Sequence, residues 1–294
     1  MARRWHWGAA AGAALAVAFV LNLAAPGSGS AASEATGPVL RETTKFLLEG
    51  ELEQGGWIRG QAPLRTVRLQ FGNRLLELDQ DRRFFAAFDR DAGPSAELIA
   101  TLSDGSAIAA PLTIKPRAWN IERVNIARRS GGMSDAFWQR RKPELDRINA
   151  ARSVDADSRG WAQDFIWPVT GRISGRFGSQ RIYRGEPGSY HSGMDIATGA
   201  SGTPFVAPAD GVVTLAATGF SLEGGLLIID HGNGLNSAFL HLSKIAVSEG
   251  ERVRQGQYVG NIGATGRATG PHLHWSMKWR DARVDPLLFT GPMR

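Results

Sequence analysis

Five of the six histidines in this 294-residue chain concentrate in its C-terminal part. They are His191, His231, His241, His272 and His274. The sequence contains no cysteine, which excludes thiolate metal sites and cysteine nucleophiles. Imidazole and carboxylate groups remain as ligands, and three of them with one position open to water are the composition of a catalytic zinc site. The residue types therefore indicate a catalytic metal site rather than a closed structural one.

Two short motifs have spacings that bring such ligands together. His272 and His274 are two residues apart, so on a strand both imidazoles face the same side while the intervening leucine faces the core. His191 and Asp195 also share a face if their segment is extended, and Gly193 between them has no side chain to keep them apart. Together the motifs predict that these groups converge on one metal ion.

The two motifs belong to an ordered series between about residues 165 and 289. The series consists of Trp167-Pro168-Val169, Gly171 to Gly178, His191-x-Gly193-x-Asp195, Asp230 to Gly234, His241-Leu242, Gly263-x-Thr265-Gly266 and Gly270 to His274. In this order the motifs resemble the lysostaphin-type (LytM-like) zinc metallopeptidases of peptidoglycan. The resemblance implies an antiparallel β fold with a narrow groove that holds one zinc ion per chain.

The resemblance also implies a role for each site residue. The metal ligands fall on His191, Asp195 and His274, and two catalytic histidines outside the ligand set fall on His241 and His272. Zinc lowers the pKa of a bound water from about 15.7 to about 7 and polarises the scissile carbonyl. The two further histidines would orient the water, move a proton to the leaving amine or stabilise the oxyanion. The expected activity is hydrolysis of peptide bonds in the stem peptides or cross-links of peptidoglycan.

Three aromatic residues and one histidine near the motifs need a separate interpretation. Phe239 stands where the family often has a tyrosine, so a hydroxyl from that position is lost. Tyr183 and Tyr190 lie close in sequence to a predicted ligand and could supply a hydroxyl, or could be ordinary loop aromatics. His231 precedes a Gly-Asn-Gly turn and is interpreted as positional or exposed rather than as a ligand.

The elements that must position these residues predict an all-β protein. Period-2 alternation broken by turn signals predicts a small β-sandwich accessory domain over residues 39–117. Residues 118–164 read as a partly helical connector, in which Ser134 caps a turn and Pro143 begins a helix. Residues 165–294, with short apolar strands and glycine-containing turns, predict an antiparallel β metallopeptidase domain with a zinc-containing groove.

The N-terminus predicts export. Arg3 and Arg4 precede an apolar stretch from Gly8 to Ala25, and Ser30-Ala31-Ala32 offers the small residues of a cleavage site. Residues 1–32 therefore form a signal peptide or, alternatively, an uncleaved membrane anchor. Either segment would deliver the rest of the chain to the periplasm or cell envelope.

The charge of the chain agrees with an envelope partner. The formal net charge of +6 suits association with an anionic cell wall. Export argues against nucleic acid as a partner, and membrane contact is expected only through the N-terminal segment if it is retained. No feature of the sequence indicates an oligomeric state.

Two other functional classes compete with the zinc endopeptidase. A catalytically inactive envelope module could regulate another cell-wall hydrolase, but all three ligand positions and both catalytic histidine positions are filled. The segment Gly250 to Gln257 suits the hairpin of a biotinyl or lipoyl carrier, but the lysine that would take the cofactor is not evident at its turn. The filled motif positions favour the enzyme.

Overall fold

The computed structural model describes residues 44–127 and 134–293. The predicted signal peptide or anchor, residues 1–32, lies outside the described residues. From Glu42 onward the chain forms one unit, and the description below concerns that unit. Within its described parts, no helix is both long enough and apolar enough to cross a membrane.

The N-terminal part consists of two small antiparallel sheets. Its strands are β1 (Leu47–Gly50), β2 (Trp57–Gln61), β3 (Thr66–Phe71), β4 (Arg74–Leu76), β5 (Arg83–Ala87), β6 (Ser95–Leu102) and β7 (Ala107–Thr113). One sheet has the order β1-β2-β5 and the other the order β4-β3-β6-β7. Alternate residues of β6 are buried, as the period-2 pattern predicts, whereas four consecutive residues of β5 are buried.

The middle part contributes one strand and one long helix. Strand β8 (Ile121–Val124) is followed by helix α1 (Asp135–Ser153) and a short 3-10 helix at Gly160–Ala162. Ser134 is the N-cap of α1, and its hydroxyl accepts a hydrogen bond from the backbone N–H of Phe137 at 3.2 Å. The expectation that a helix begins at Pro143 is wrong, because this cap begins the helix earlier and Pro143 lies inside it.

The C-terminal part is built from antiparallel strands. They are β9 (Arg172–Gly175), β10 (Gln180–Tyr183), β11 (Glu186–Pro187), β12 (Met194–Ala197), β13 (Pro204–Val206), β14 (Gly211–Phe220), β15 (Gly224–Asp230), β16 (Leu235–Leu240), β17 (Leu242–Ile245), β18 (Arg252–Val253), β19 (Tyr258–Ile262), β20 (Leu273–Trp279) and β21 (Ala282–Val284). A second 3-10 helix spans Pro286–Leu288. With α1 as the one α-helix among the described residues, the all-β fold class is confirmed.

One large sheet positions the predicted site. Its order is β18-β14-β15-β16-β20-β12-β9, and β21 pairs with β20. Strand β20 therefore lies between β12 and β16, with His274 opposite Asp195 on one side and opposite Leu240 on the other. A smaller sheet has the order β13-β19-β17, and β10 lies between β11 and β8, pairing with β8 in parallel. The register of β12 and β20 thus places two of the predicted ligands, Asp195 and His274, opposite each other.

A single buried cluster runs from the N-terminal sheets into the C-terminal part. Trp57 of β2 stacks on Phe289 with ring centroids 5.3 Å apart, and its Nε1–H donates to the carbonyl of Leu288 at 2.7 Å. Phe85 of β5 contacts Trp279 of β20 edge to face at 6.4 Å. The domain boundaries inferred from the sequence stay a prediction.

Trp57 should be a major contributor to the stability of the chain. Trp57→Ala removes a buried indole and its hydrogen bond from the shared cluster, so the free energy of unfolding should fall by about 3–5 kcal/mol. Leu75→Ala, at an exposed position of β4, is the matched control and should change it by less than about 0.5 kcal/mol. Denaturant unfolding measures both. Equal, small losses would show that the shared cluster contributes little.

Candidate metal centre

Three side chains from β12, β20 and the loop before β12 converge on one point. The Nδ1 atom of His274 lies 2.8 Å from Oδ1 of Asp195, and Nε2 of His191 lies 3.1 Å from that same oxygen. The two ring nitrogens are 3.1 Å apart. One ligand atom from each residue lies within 4.8 Å of the other two. The structure therefore brings together the three residues that the sequence predicts as metal ligands.

The orientation of His191 is set by main-chain contacts. Its Nδ1 lies 3.1 Å from the carbonyl oxygen of Arg176, which can only accept, so we infer that Nδ1 carries the proton. In the neutral ring the Nε2 atom then has a lone pair that faces the cluster. The backbone N–H of His191 donates to Ser179 and its carbonyl accepts from Gly178, at 2.8 and 2.9 Å. Arg90, from the N-terminal part, donates to the carbonyl of Gly178 at 3.0 Å and so supports the same loop.

Two glycines make room for the cluster. A Cβ atom at Gly193 would lie 2.7 Å from Nε2 of His274 and 2.6 Å from the carbonyl oxygen of Trp275. A Cβ at Gly175 of β9 would lie 2.9 Å from Cγ of Asp195. Carbon atoms do not approach so closely without displacing a neighbour. A side chain at either position would therefore push a predicted ligand out of place.

The electrostatics of the cluster favour a bound cation. Burial raises the pKa of the Asp195 carboxyl, but hydrogen bonds from His191 and His274 lower it more, so this pKa lies well below its usual value and the group is an anion. Burial lowers the pKa of His274. Burial also lowers the pKa of His191, but the hydrogen bond and charge of Asp195 outweigh it and leave this pKa raised. A carboxylate and two imidazoles therefore share one small, partly buried space.

The donor set fits zinc. At Zn–N and Zn–O distances of about 2.0–2.1 Å, tetrahedral ligand atoms lie about 3.3 Å apart, close to the separations seen here. Three acceptors that face one another repel unless a proton or a cation lies between them. The protons through which His191 and His274 hydrogen-bond to Asp195 would have to leave before these nitrogens could ligate a metal ion. Nitrogen and oxygen donors without thiolate are typical of catalytic zinc.

His241 lies at the end of β16, beside the cluster. Its ring centroid is 6.2 Å from that of His274, and its Nδ1 lies 2.9 Å from the carbonyl oxygen of Thr265. The proton is therefore on Nδ1, and Nε2 has a free lone pair. Burial lowers the pKa of His241, which favours the neutral ring. Its backbone φ of 66° is in the left-handed region, which is uncommon for a residue with a side chain.

His272 lies just before β20 and completes the group. Its Nδ1 lies 2.8 Å from the carbonyl oxygen of Gly270, so this ring also carries its proton on Nδ1. Its Nε2 is 3.7 Å from Oδ1 of Asp195, and its ring centroid is 4.9 Å from that of His241. The structure thus brings both predicted catalytic histidines next to the predicted ligands. Their assigned roles stay a prediction.

His231 has a structural position. It is fully buried, and its ring nitrogens lie 2.7 Å from the carbonyl of Asp210 and 2.9 Å from the hydroxyl of Ser237. Burial lowers its pKa to about 4. Of the two alternatives drawn from the sequence, the exposed one is wrong and the positional one agrees with these contacts.

The three aromatic residues considered in the sequence analysis occupy different environments. Phe239 is fully buried between Phe205 and Trp275, so no hydroxyl reaches the site from this position. Tyr190 packs under the guanidinium of Arg90, 4.6 Å from its ring centroid, and burial raises its pKa. Tyr183 and Tyr190 both line the groove described next.

A groove of about 1100 Å³ lies beside His191. Its walls come from three regions of the chain and include Asn120, Glu122, Gln180, Arg181, Tyr183 and Arg267. Arg181 and Glu122, on the paired strands β10 and β8, form an ion pair at 2.6 Å. The groove has room for several residues of a peptide, and the predicted metal ligand His191 is part of its lining.

The antiparallel β domain thus holds a His–Asp–His cluster with two adjoining histidines, a donor set that fits a catalytic metal centre. Residues 189–286 match Peptidase family M23. This match confirms the resemblance to LytM-type peptidases that the motifs indicate.

Curated relatives share this domain. The chain is 39% identical over 126 residues to the peptidoglycan DD-endopeptidase ShyA of Vibrio cholerae. This alignment covers 42% of this chain and 28% of that protein. It is 39% identical over 125 residues to the DD-carboxypeptidase/endopeptidase Mpg of Neisseria meningitidis, covering 41% of this chain and 27% of that protein. The match thus spans less than a third of the length of either relative.

A solved structure resembles more of the chain than the M23 domain. The crystal structure of a Pseudomonas aeruginosa protein assigned to peptidase M23 aligns with a TM-score of 0.60 and 27% identity. The alignment covers 81% of this chain and 95% of that one. The similarity of fold therefore extends beyond residues 189–286.

Sequence reasoning did not identify the groups that orient the histidines. The carbonyls of Arg176, Thr265 and Gly270 hold three imidazole rings, and a backbone acceptor has no signature of its own in a sequence. In the sequence analysis, Gly175 appears only as one residue of the motif Gly171 to Gly178. A glycine inside a strand indicates a close approach of another group, and this signal could have found it.

Gly193→Ala should weaken metal binding without unfolding the chain. The added methyl would displace His274 or the backbone of Trp275, so zinc affinity should fall about 10- to 100-fold, the usual range for loss of a group that orients a ligand. Titration of zinc into metal-free protein, followed by calorimetry, measures the change. Gly93→Ala is the control, because a Cβ at that position meets no atom within 4 Å. An unchanged affinity would mean that the cluster is not the metal site.

Proposed function

We propose that the chain is a zinc-dependent endopeptidase that hydrolyses peptide bonds in the stem peptides or cross-links of peptidoglycan. The observation that carries this proposal is the convergence of His191, Asp195 and His274, with His241 and His272 beside them. The M23 domain and relatives named as DD-endopeptidases support the substrate class. The proposed location is the periplasm or cell envelope, on the basis of the N-terminal 32 residues.

The proposed ligands are the three clustered residues, one zinc ion per chain. Bound there, zinc would lower the pKa of a water molecule and polarise the carbonyl of the scissile bond. Asp195 contributes the negative charge that holds the cation, and His191 presents Nε2 because Arg176 binds its other nitrogen. The strand register keeps His274 opposite Asp195, so the ligands are held before substrate arrives.

His241 and His272 supply the proton transfer. Each ring is fixed by a carbonyl at Nδ1 and has a lone pair at Nε2, so either can accept a proton from water. The imidazolium that results can donate a hydrogen bond to the developing oxyanion or pass the proton to the leaving amine. Their rings are 4.9 Å apart, close enough to serve one reacting centre.

The groove beside His191 is the proposed path of the peptide. Its volume of about 1100 Å³ exceeds that of most small-molecule sites, which are about 300–1,000 Å³. Arg267 on its wall is exposed, and Arg181 is paired with Glu122, so the wall offers polar and charged contacts along its length. A peptide lying there would have its scissile bond next to the cluster.

Digestion of isolated peptidoglycan should break a peptide bond and leave the glycan intact. Each stem peptide should remain attached to its sugar, because the proposed reaction is amide hydrolysis within the peptide part. Mass spectrometry of the soluble products measures this, with chelator-treated protein and the same sample after zinc is restored as controls. Release of whole stem peptides from sugar would make the chain an amidase, and shortened glycans would make it a glycosidase.

Two variants within one motif should separate metal binding from catalysis. His274→Ala removes a proposed ligand, so zinc content and activity should fall together. His272→Ala should keep about one zinc per chain while the rate falls ~10²–10⁴-fold, as for a lost acid–base group. His241→Ala should behave like His272→Ala.

Metal analysis, activity and thermal stability are measured on the same samples. Loss of zinc from His272→Ala with retention in His274→Ala would reverse the ligand assignment. Retention of both zinc and activity in all three variants would make the motif structural and would favour the inactive envelope module instead.

A further inference from the structure

Helix α1 lies outside the segment that matches family M23, yet it is anchored to the turn between β14 and β15. Arg141 of α1 is buried, with 7% of its side chain exposed. Its guanidinium forms two hydrogen bonds with the carboxylate of Glu223, at 2.6 and 2.7 Å. The same guanidinium contacts Glu144 of α1 at 2.9 Å. This bidentate pair is the geometry in which arginine and carboxylate bind most specifically.

The turn is held at a second point by the same helix. Glu144 accepts hydrogen bonds from the backbone N–H and the hydroxyl of Ser221, at 2.8 and 2.5 Å. Hydrogen bonds from Ser221 and Arg141 lower the pKa of Glu144 against the effect of burial, so it stays an anion. Two adjacent turns of α1 therefore fix both ends of the segment 221–223.

That segment contacts His241 directly. The carbonyl of Glu223 accepts a hydrogen bond from the backbone N–H of His241 at 2.8 Å. Two residues further, the N–H of Gly225 donates to the hydroxyl of Thr265 at 2.9 Å. The carbonyl of Thr265 is the group that binds Nδ1 of His241. The turn therefore supports both the backbone and the ring of this histidine.

His241 needs such support because of its backbone conformation. A side-chain-bearing residue with a φ of 66° is less stable there than in the ordinary regions, and it persists only where its surroundings determine it. If the turn shifts, the N–H of His241 loses its acceptor and the backbone can relax toward a negative φ. The imidazole would then leave its place beside His272 and His274.

We propose that Arg141 and Glu223 are positioning residues for His241: helix α1 fixes the turn 221–223, and this turn, with the start of β15, holds His241 in the orientation in which it acts on the substrate. The inference rests on the proposed peptidase function. It assigns to a helix outside the M23 domain a direct part in the geometry of the site, through one buried ion pair.

The test uses the full chain and the variant Arg141→Lys, which keeps the positive charge but cannot form the two-pronged contact. The kcat should fall about 10- to 100-fold, the cost of a displacement on the order of 1 Å at a catalytic group. The KM should change by less than about twofold and zinc should remain at about one per chain, because no ligand moves. Lys142→Met is the control, since Lys142 forms an exposed ion pair with Asp146 on the same helix.

A double-mutant cycle decides whether the effect passes through His241. In the His241→Ala background, Arg141→Lys should lower kcat by less than about twofold, because the residue that it positions is already gone. An equal loss in both backgrounds would overturn the proposal, as would loss of zinc in Arg141→Lys. Glu223→Gln is tested in the same double-mutant cycle. If one of the two variants fails to fold, the other still tests the proposal.

A readout independent of activity separates this inference from the proposed function. With selective ¹⁵N-histidine labelling, the amide signal of His241, assigned with His241→Gln, should shift in Arg141→Lys and Glu223→Gln and stay in place in Lys142→Met. An unchanged signal would overturn the positioning role even in an active enzyme. A shifted signal in a chain without hydrolytic activity would leave the positioning intact and refute the peptidase.

Discussion

The carboxylate of Asp195 is the charge around which the C-terminal part is arranged. It is partly buried, and a buried carboxylate remains ionised only where hydrogen bonds or a cation compensate for lost solvation. His274 reaches it because β12 and β20 are paired with these two residues opposite each other. Gly193 and Gly175 keep the surrounding space open. A slip of one residue in that register would turn His274 to the opposite face of the sheet. The pairing of β12 with β20 therefore also determines the geometry of the proposed ligands.

Polar side chains from outside the M23 segment support the site on two sides. Arg90 binds the carbonyl of Gly178, whose own N–H holds the backbone of His191. Arg141 binds Glu223, whose carbonyl holds the backbone of His241. Both arginines are buried, and a buried guanidinium is tolerated only with good partners. The shared aromatic cluster around Trp57 adds apolar contact between the same regions. The segment that matches family M23 is thus smaller than the physical unit that shapes the candidate metal centre.

The sequence predicted the fold class and the convergence of the site residues well, for identifiable reasons. The short strands of the C-terminal part were predictable because glycine-containing turns flank short apolar runs, as they do at β19. In a His-x-His motif on a strand, both imidazole rings must point to the same face of the sheet. Strand β5 shows no alternation because it is buried on both faces. The start of α1 was misplaced because proline is common in a first helical turn, while here the cap at Ser134 determines the start. The contacts of Arg141 join positions 82 residues apart and have no local pattern.

The parallel pair of β8 and β10 determines how a ligand can contact the wall of the groove. Strand β10 has β11 on one side and β8 on the other, so its backbone groups are engaged along both edges. An extended peptide cannot add to this strand by main-chain pairing, which many peptide-binding proteins use for affinity independent of sequence. For the proposed peptide substrate, contacts with this strand would come instead from side chains such as Gln180, Arg181 and Tyr183. Selectivity at this strand would then depend on residue identity, which substitution can change while the sheet stays intact.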